Sequence, residues 1–322
     1  MLRHLLCFGL FAAGCAAADT TTVQHKVAKT FSVPAGAALS VDTFTGAINV
    51  TESDGDAIEV TLTEECEAKD EAAAAPKFAN LEVAMEQHDA KVGVTVKYGQ
   101  KVNFTWEAWP PVRLTFDIKV PRVCDADLRS FSGDITVGKL KGRVNLNNDV
   151  GTLFAGETDG TVTAHSRLGD IQVTACTGLI DAFSRSGNVL IGRAPGGARL
   201  ASDGGQIDVQ AAGGDFKVSG NGSEVQVRFA GPLTHAADVE TSGGSITAIF
   251  DTNLAAALDA ESSPLSTVTA RGLAPAGVPD GVTRAALQAK LNGGGPAIVI
   301  RAGGGHVLLR GVKPMPPAEP AR

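Results

Sequence analysis

Gly133-Asp-Ile-Thr-Val137, Gly151-Thr-Leu-Phe-Ala155, Gly169-Asp-Ile-Gln-Val173, Gly187-Asn-Val-Leu-Ile191 and Gly205-Gln-Ile-Asp-Val209 are five copies of one pattern. Their leading glycines fall 18 residues apart each time. A second set, Gly142, Gly160, Gly178, Gly196 and Gly214, sits halfway between them. Ten glycines in strict alternation are an internal repeat, and a repeat takes precedence over any other reading of a sequence.

After each glycine the side chains alternate with the period of a strand. Positions two and four read Ile135/Val137, Leu153/Ala155, Ile171/Val173, Val189/Ile191 and Ile207/Val209. After the second set they read Val144/Leu146, Val162/Ala164, Ile180/Ala182, Ala198/Leu200 and Phe216/Val218. Between them stand mostly polar residues such as Thr136, Gln172, Asp208 and Lys217. Strands this short cannot bury an apolar face alone, but stacked copies can. The expected fold is therefore all-β. It is a parallel β-helix, or β-solenoid, of 18-residue coils with two strands each, preceded by an irregular N-terminal β region with a short helix. Glycine is expected to supply the turn conformations.

One column, Ser130, Asn148, Ser166, Ser184 and Ser202, is polar where the alternation points inward. It reads as a ladder bonded to its neighbours or to turn backbone. The position after the first glycine is Asp134, Thr152, Asp170, Asn188 and Gln206. Two carboxylates in five do not make the aspartate-lined turns of a calcium-binding β-roll. An outward column holds Asp181, Arg199 and Lys217 and reads as solvated surface.

The flanks are less regular. Residues 1–18 carry Arg3, an apolar run and Ala16-Ala17-Ala18, the order of a signal peptide. The competing site is Ala12-Ala13-Gly14-Cys15, which resembles a lipobox. Cleavage after residue 14 and lipidation of Cys15 would then anchor the chain to a membrane. Residues 19–124 are expected to form the N-terminal β region and 125–312 the solenoid, regular over 127–230. Residues 313–322 are proline-rich and expected to be disordered. Thr43-Phe-Thr-Gly-Ala-Ile-Asn-Val50 is an isolated early copy of the repeat. Residues 70–80 suggest a helix limited by Pro76. Strands are expected near 57–63, 81–85, 92–98 and 112–120. The 18-residue register is lost after Val227, the motif resumes at Gly244, and 259–285 reads as a long loop.

Chemistry-bearing residues are sparse. A net charge of −7 with scattered Lys and Arg argues against nucleic acid as a partner. None of the six histidines stands at metal-ligand spacing, and no nucleophile elbow, phosphate loop or zinc-protease motif occurs. No metal or cofactor is expected. Of five cysteines, Cys66 and Cys124 are the expected disulfide because both lie outside the regular repeats, and Cys176 reads as a small core residue. The only Tyr and both Trp, namely Tyr98, Trp106 and Trp109, fall within twelve residues beside Pro110-Pro111. They would either stack on a ligand or cap the open end of the stack.

Val33-Pro-Ala-Gly36, Thr45-Gly-Ala-Ile-Asn-Val50, Ile118-Lys-Val-Pro121, the Gly-Asp-Ile-x-Val repeats and Leu291-Asn-Gly-Gly-Gly-Pro296 together resemble a bacterial family of β-strand-repeat proteins labelled "putative adhesin", a domain of unknown function. The resemblance spans roughly residues 25–312. It implies a β-helical fold and an envelope location, either periplasmic or as an outer-membrane-anchored lipoprotein. It brings no catalytic residues with it. The expected function is a non-enzymatic binding or structural module whose partner is an envelope protein or a glycan. The alternative is a carbohydrate-active β-helix enzyme acting on envelope or extracellular polysaccharide.

Overall fold

The computed structural model describes residues 21–99, 110–231, 233–281 and 283–314. The chain is all-β, with 26 strands in one hydrogen-bonded sheet and a single α-helix among the described residues. No helix among them is long and apolar enough to cross a membrane.

The N-terminal part supplies β1 (Thr21–Ser32), β2 (Ala37–Thr45), β3 (Ala47–Ser53), β4 (Ala57–Ala68), α1 (Glu71–Ala79), β5 (Leu81–His88), β6 (Lys91–Tyr98) and β7 (Arg113–Pro121). The repeats begin with β8 (Cys124–Ser132), β9 (Ile135–Val137), β10 (Leu140–Val150) and the long β11 (Leu153–Leu168). They continue through β12 (Ile171–Cys176), β13 (Ile180–Ser184), β14 (Val189–Ala194), β15 (Gly197–Ser202), β16 (Ile207–Ala212), β17 (Asp215–Gly220) and β18 (Val225–Phe229).

Two parallel ladders result. In one, Ile171 pairs with Leu153 and Val189, and Val189 with Ile207. In the other, Ile180 pairs with Val162 and Ala198, and Ala198 with Phe216. Every step is one 18-residue repeat, and consecutive strands alternate between ladders. The sheet bends back so that both ladders share one core, in which Ile171, Val189, Ile180 and Ala198 are fully buried. Apolar and polar residues therefore separate by face as the strand period demands.

The repeat glycines act in two ways: Gly133, Gly142, Gly151, Gly160 and Gly214 have positive φ and supply turn conformations as expected, whereas the later members of the first set, Gly169, Gly187 and Gly205, do not. A Cβ on each would lie 2.0 Å from the carbonyl oxygen of the glycine one repeat earlier. Close backbone approach between repeats, rather than turn conformation, excludes a side chain there. The following Asp and Asn residues have a structural task too. Asp134 Oδ1 accepts the Thr152 N–H at 2.7 Å, Asp170 Oδ1 the Asn188 N–H at 2.8 Å, and Asn188 Oδ1 the Gln206 N–H at 2.9 Å. Each side chain satisfies a backbone donor in the next repeat.

The inward polar column is buried. Its members bond to turn carbonyls rather than to one another: Asn148 Nδ2 donates to Gly151 O at 2.7 Å, Ser184 Oγ to Gly169 O at 2.9 Å, and Ser202 Oγ to Gly187 O at 3.3 Å. Ser166 Oγ finds no protein partner.

At both ends the order in space departs from the order in sequence. β2 pairs with β6 on one side and β8 on the other, and β3 likewise lies between β7 and β9. The early copy of the motif is thus inserted between two later segments. Antiparallel strands close this end: β5 on β6, β4 on β7, and β1 on β4. The expected boundary at 124/125 falls inside β8. Asp70 caps α1 by accepting the Ala73 N–H at 2.8 Å, and Pro76 lies inside its nine residues. This matches the expected short helix.

The C-terminal end repeats the device with β19 (Ala237–Thr241), β20 (Ile246–Asp251), β21 (Ala256–Ser262), β22 (Val268–Arg271), β23 (Thr283–Arg284), β24 (Ala286–Leu291), β25 (Ala297–Ala302) and β26 (Val307–Val312). The last two insert between earlier ones: β25 between β19 and β21, β26 between β20 and β22. The ladder persists past Val227, but the step lengthens to 21 residues, as Val225 pairs with Ile246. The expected loop 259–285 is instead largely structured. It contains the end of β21, all of β22, a 3₁₀ turn at Ala274–Ala276 and all of β23, and it buries Leu273, Ala276 and Val278 in the core. This segment is therefore part of the core rather than a loop outside it.

Candidate functional site

Alternation in β2 puts Asp42 and Phe44 on the outer face, and in β8 it puts Arg129 and Phe131 there. Parallel pairing of Thr43 with Ser130 and of Thr45 with Ser132 sets the two phenylalanines side by side. Their rings stack with centroids 4.9 Å apart and planes 12° apart, and each side chain remains 44 % exposed. Asp42 is level with Arg129, and Arg129 with Asn147 of β10. Lys97, Tyr98 and Asp149 complete the rim of a cleft of about 590 Å³.

Tyr98, singled out in the sequence, therefore lines this cleft. It is half-buried, its hydroxyl lies 3.5 Å from Val112 O, and burial raises its pKa. Trp106 and Trp109 lie outside the described residues, as does Cys15. Phe44 and Phe131 were not among the expected site residues. The signal for them exists: Thr43-Phe-Thr-Gly-Ala-Ile-Asn-Val50 aligned with Ser130-Phe-Ser-Gly-Asp-Ile-Thr-Val137 superposes the two phenylalanines.

A second groove, of about 1240 Å³, follows the turns between the ladders. Glu157 there meets Lys139 at 3.0 Å and Arg193 at 3.4 Å, and Asp159 meets Lys141 at 3.5 Å. The hydrogen bond and charge of Lys139 hold the Glu157 carboxyl below its ordinary pKa. The Thr177 hydroxyl, at 2.9 Å, and the Lys141 charge do the same for Asp159. A general acid needs its pKa raised, and these two are displaced the other way. Cys176 lines the same groove but is buried, with its thiol 3.1 Å from Gly160 O and its pKa raised by burial. It is a small core residue and not an activated nucleophile.

Cys66 and Cys124 are both buried and are not bonded to each other. Cys66 lies in β4 at the end of one ladder, and Cys124 opens β8 in the other, paired with Ala37. Lying outside the regular repeats does not make two residues neighbours. Burial pushes the Cys124 thiol up to about 11.

No protein-family model matches the chain, and no curated protein matches it. Among solved structures, it is similar to a "putative adhesin" from Bacteroides fragilis, at 12 % identity over 89 % of this chain and 97 % of that one, with a TM-score of 0.44. A "putative adhesin" from Parabacteroides distasonis matches at 15 % identity, covering 88 % and 97 %, with a TM-score of 0.42. A "putative lipid binding protein" from the same organism matches at 10 % identity, covering 88 % and 96 %, with a TM-score of 0.33. Two of these three neighbours carry the adhesin label to which the sequence itself led, and at these identities and scores they say nothing of what this chain binds.

Proposed function

We propose that the chain is a non-catalytic, adhesin-like binding module of the bacterial cell envelope, wound as a parallel β-solenoid whose two ladders are the faces of successive 18-residue coils. The observation that carries the binding role is the stacked Phe44–Phe131 pair, left 44 % exposed beside a cleft. Aromatic side chains exposed beside a cleft are the type that dominates contact energetics. Trp106 and Trp109 belong to this reading through their position just after Tyr98 in sequence. The alternative, a carbohydrate-active enzyme, would need a protonated carboxyl as general acid, whereas Glu157 and Asp159 of the second groove are tied to Lys139 at 3.0 Å and Lys141 at 3.5 Å.

Binding and catalysis separate in one experiment. The purified chain is expected to sediment with bacterial envelope material while releasing no reducing ends or unsaturated products from a panel of polysaccharides. Product release with multiple turnovers would replace this proposal with the enzymatic one.

The export signal and Cys15 give the module its place. We expect the mature protein to begin at Cys15 with a lipid on its thiol, which mass spectrometry of the N-terminus reads directly. A mature chain beginning at unmodified Asp19 would instead indicate a protein without a lipid anchor.

A further inference from the structure

Thr269-Ala-Arg-Gly272 and Leu308-Leu-Arg-Gly311 lie on neighbouring strands, β22 and β26, which pair in parallel. The register sets Arg271 level with Arg310, and both are exposed on the outer face, whereas Ala270 and Leu309 before them are buried. The glycines that follow hold the two backbones close: a Cβ on Gly311 would lie 1.9 Å from Gly272 O. Space opens on the flank of Arg271. There β23 pairs with β22 at Val268 and Thr269 only, and a Cβ on Gly281, whose N–H is bonded to Ala270 O, would meet nothing within 4 Å. On the other flank, Ile249 of β20 stands level with Arg310.

Basic side chains in comparable positions meet acids. Arg228, level with Ile249, is bound to Asp251 at 2.8 Å, and Arg199, level with Lys217, has Asp215 at 3.9 Å. Arg271 and Arg310 have neither an ion pair nor a hydrogen bond among the described residues. Asp280, the nearest acid to Arg271 along the chain, instead accepts the Leu273 N–H at 3.2 Å. Like charges side by side repel, so the pair is a point of uncompensated positive potential on a chain whose net charge is −7. We propose that Arg271 and Arg310 together bind a phosphate monoester or free phosphate, at a site on the other ladder from the Phe44 cleft.

The chemistry selects phosphate over a carboxylate. Paired residues on neighbouring strands lie about 4.8 Å apart, so both guanidinium groups reach one tetrahedral ion. Each guanidinium presents its N–H donors in a planar fork that matches the oxygens of such an ion. A carboxylate has two oxygens and one charge. A single arginine satisfies it in bidentate fashion, and the second guanidinium is left over. A phosphate monoester carries a charge of about −1.5 to −2 at neutral pH and three acceptor oxygens, which matches two arginines.

An NMR titration of the full chain that follows the arginine Nε–H signals tests this. Inorganic phosphate is expected to shift those of Arg271 and Arg310 saturably, while acetate at equal ionic strength leaves them nearly unchanged. Arg271→Gln and Arg310→Gln should each weaken phosphate binding about tenfold or more, as expected for loss of charge-assisted hydrogen bonds. Arg199→Gln on the other ladder should leave it unchanged. All three variants should melt like the parent. Flotation with phosphatidylcholine vesicles containing phosphatidic acid separates the sources of the phosphate. Vesicle binding that both Arg271→Gln and Arg310→Gln abolish assigns the group to a lipid, and phosphate binding without vesicle binding assigns it to a soluble or polymer-borne ester. A lack of both saturable shifts and vesicle binding would overturn the proposal. Equal binding of acetate, or binding that survives both substitutions, would do the same. If phosphate binds only after Glu319→Gln, the arginines serve the chain's own tail, and the proposal falls as well.

Discussion

Ile171→Asp should abolish or severely weaken folding of the repeat stack, whereas Gln172→Asp, one residue away, should be almost silent. Ile171 is fully buried between Leu153 and Val189 in one ladder. A carboxylate there has no partner on any side, and an uncompensated buried charge costs about 3–5 kcal/mol. Protonation does not rescue it, because the neutral acid still loses its hydrogen bonds to water. Gln172 is half-exposed on the opposite face of the same strand, level with Phe154 and Leu190. Changes at surface positions of this kind usually stay within about 0.5 kcal/mol. Thermal melting followed by circular dichroism separates the two, with an expected drop of about 6 °C or more for Ile171→Asp alone. Hydrogen exchange should place the loss in the strands around 153–191, since each repeat depends on its neighbours. Equal melting of the two variants would contradict the inward and outward assignment.

The second large effect is expected from a single methyl group. Gly205→Ala should destabilise the chain by about 3 kcal/mol, the upper range for overpacking, while Gly204→Ala should change stability by no more than about 1 kcal/mol. The two glycines are adjacent, yet a Cβ on Gly205 would lie 2.0 Å from Gly187 O and 2.4 Å from Gly187 C. Those atoms belong to the backbone of the previous repeat, so no rotamer change relieves the collision. On Gly204 the nearest atom is Arg185 O at 3.9 Å, an ordinary contact, and neither glycine has a positive φ. Denaturant unfolding of the two variants beside the parent reads the difference. If both prove equally harmful, backbone freedom rather than packing between repeats is what the glycine column supplies.

Individual elements show which parts of the fold local sequence could reveal. The helix was legible because Asp70, the alanine run and Pro76 are signals within one another's reach along the chain. The loop expected over 259–285 was misread because Ser, Pro, Gly and Ala are turn formers by local preference. In the structure this segment is part of the core, with Leu273 and Val278 buried in it. The Cys66–Cys124 pairing failed for a related reason: absence from the repeat says nothing of distance in space. The site was half legible. Tyr98 was conspicuous by its rarity, while Phe44 and Phe131 are two of 13 phenylalanines and stand out only once their strands are paired.

The sequence alone determined the 18-residue register, because a repeat whose apolar residues alternate with period two has only one alignment that buries them all against the same core. It determined which residues face inward from Ile135 to Val218, and that these strands are parallel neighbours of their own copies. Tertiary structure alone decided the ends. Phe44 meets Phe131, and Val239 meets Ile300, across long sequence separations with no common period, through strands inserted between others. Which segment fills such a gap depends on what else can cover the exposed ladder edge. That is a competition among distant parts of the chain for the same unpaired N–H and C=O groups, and no local preference records its outcome.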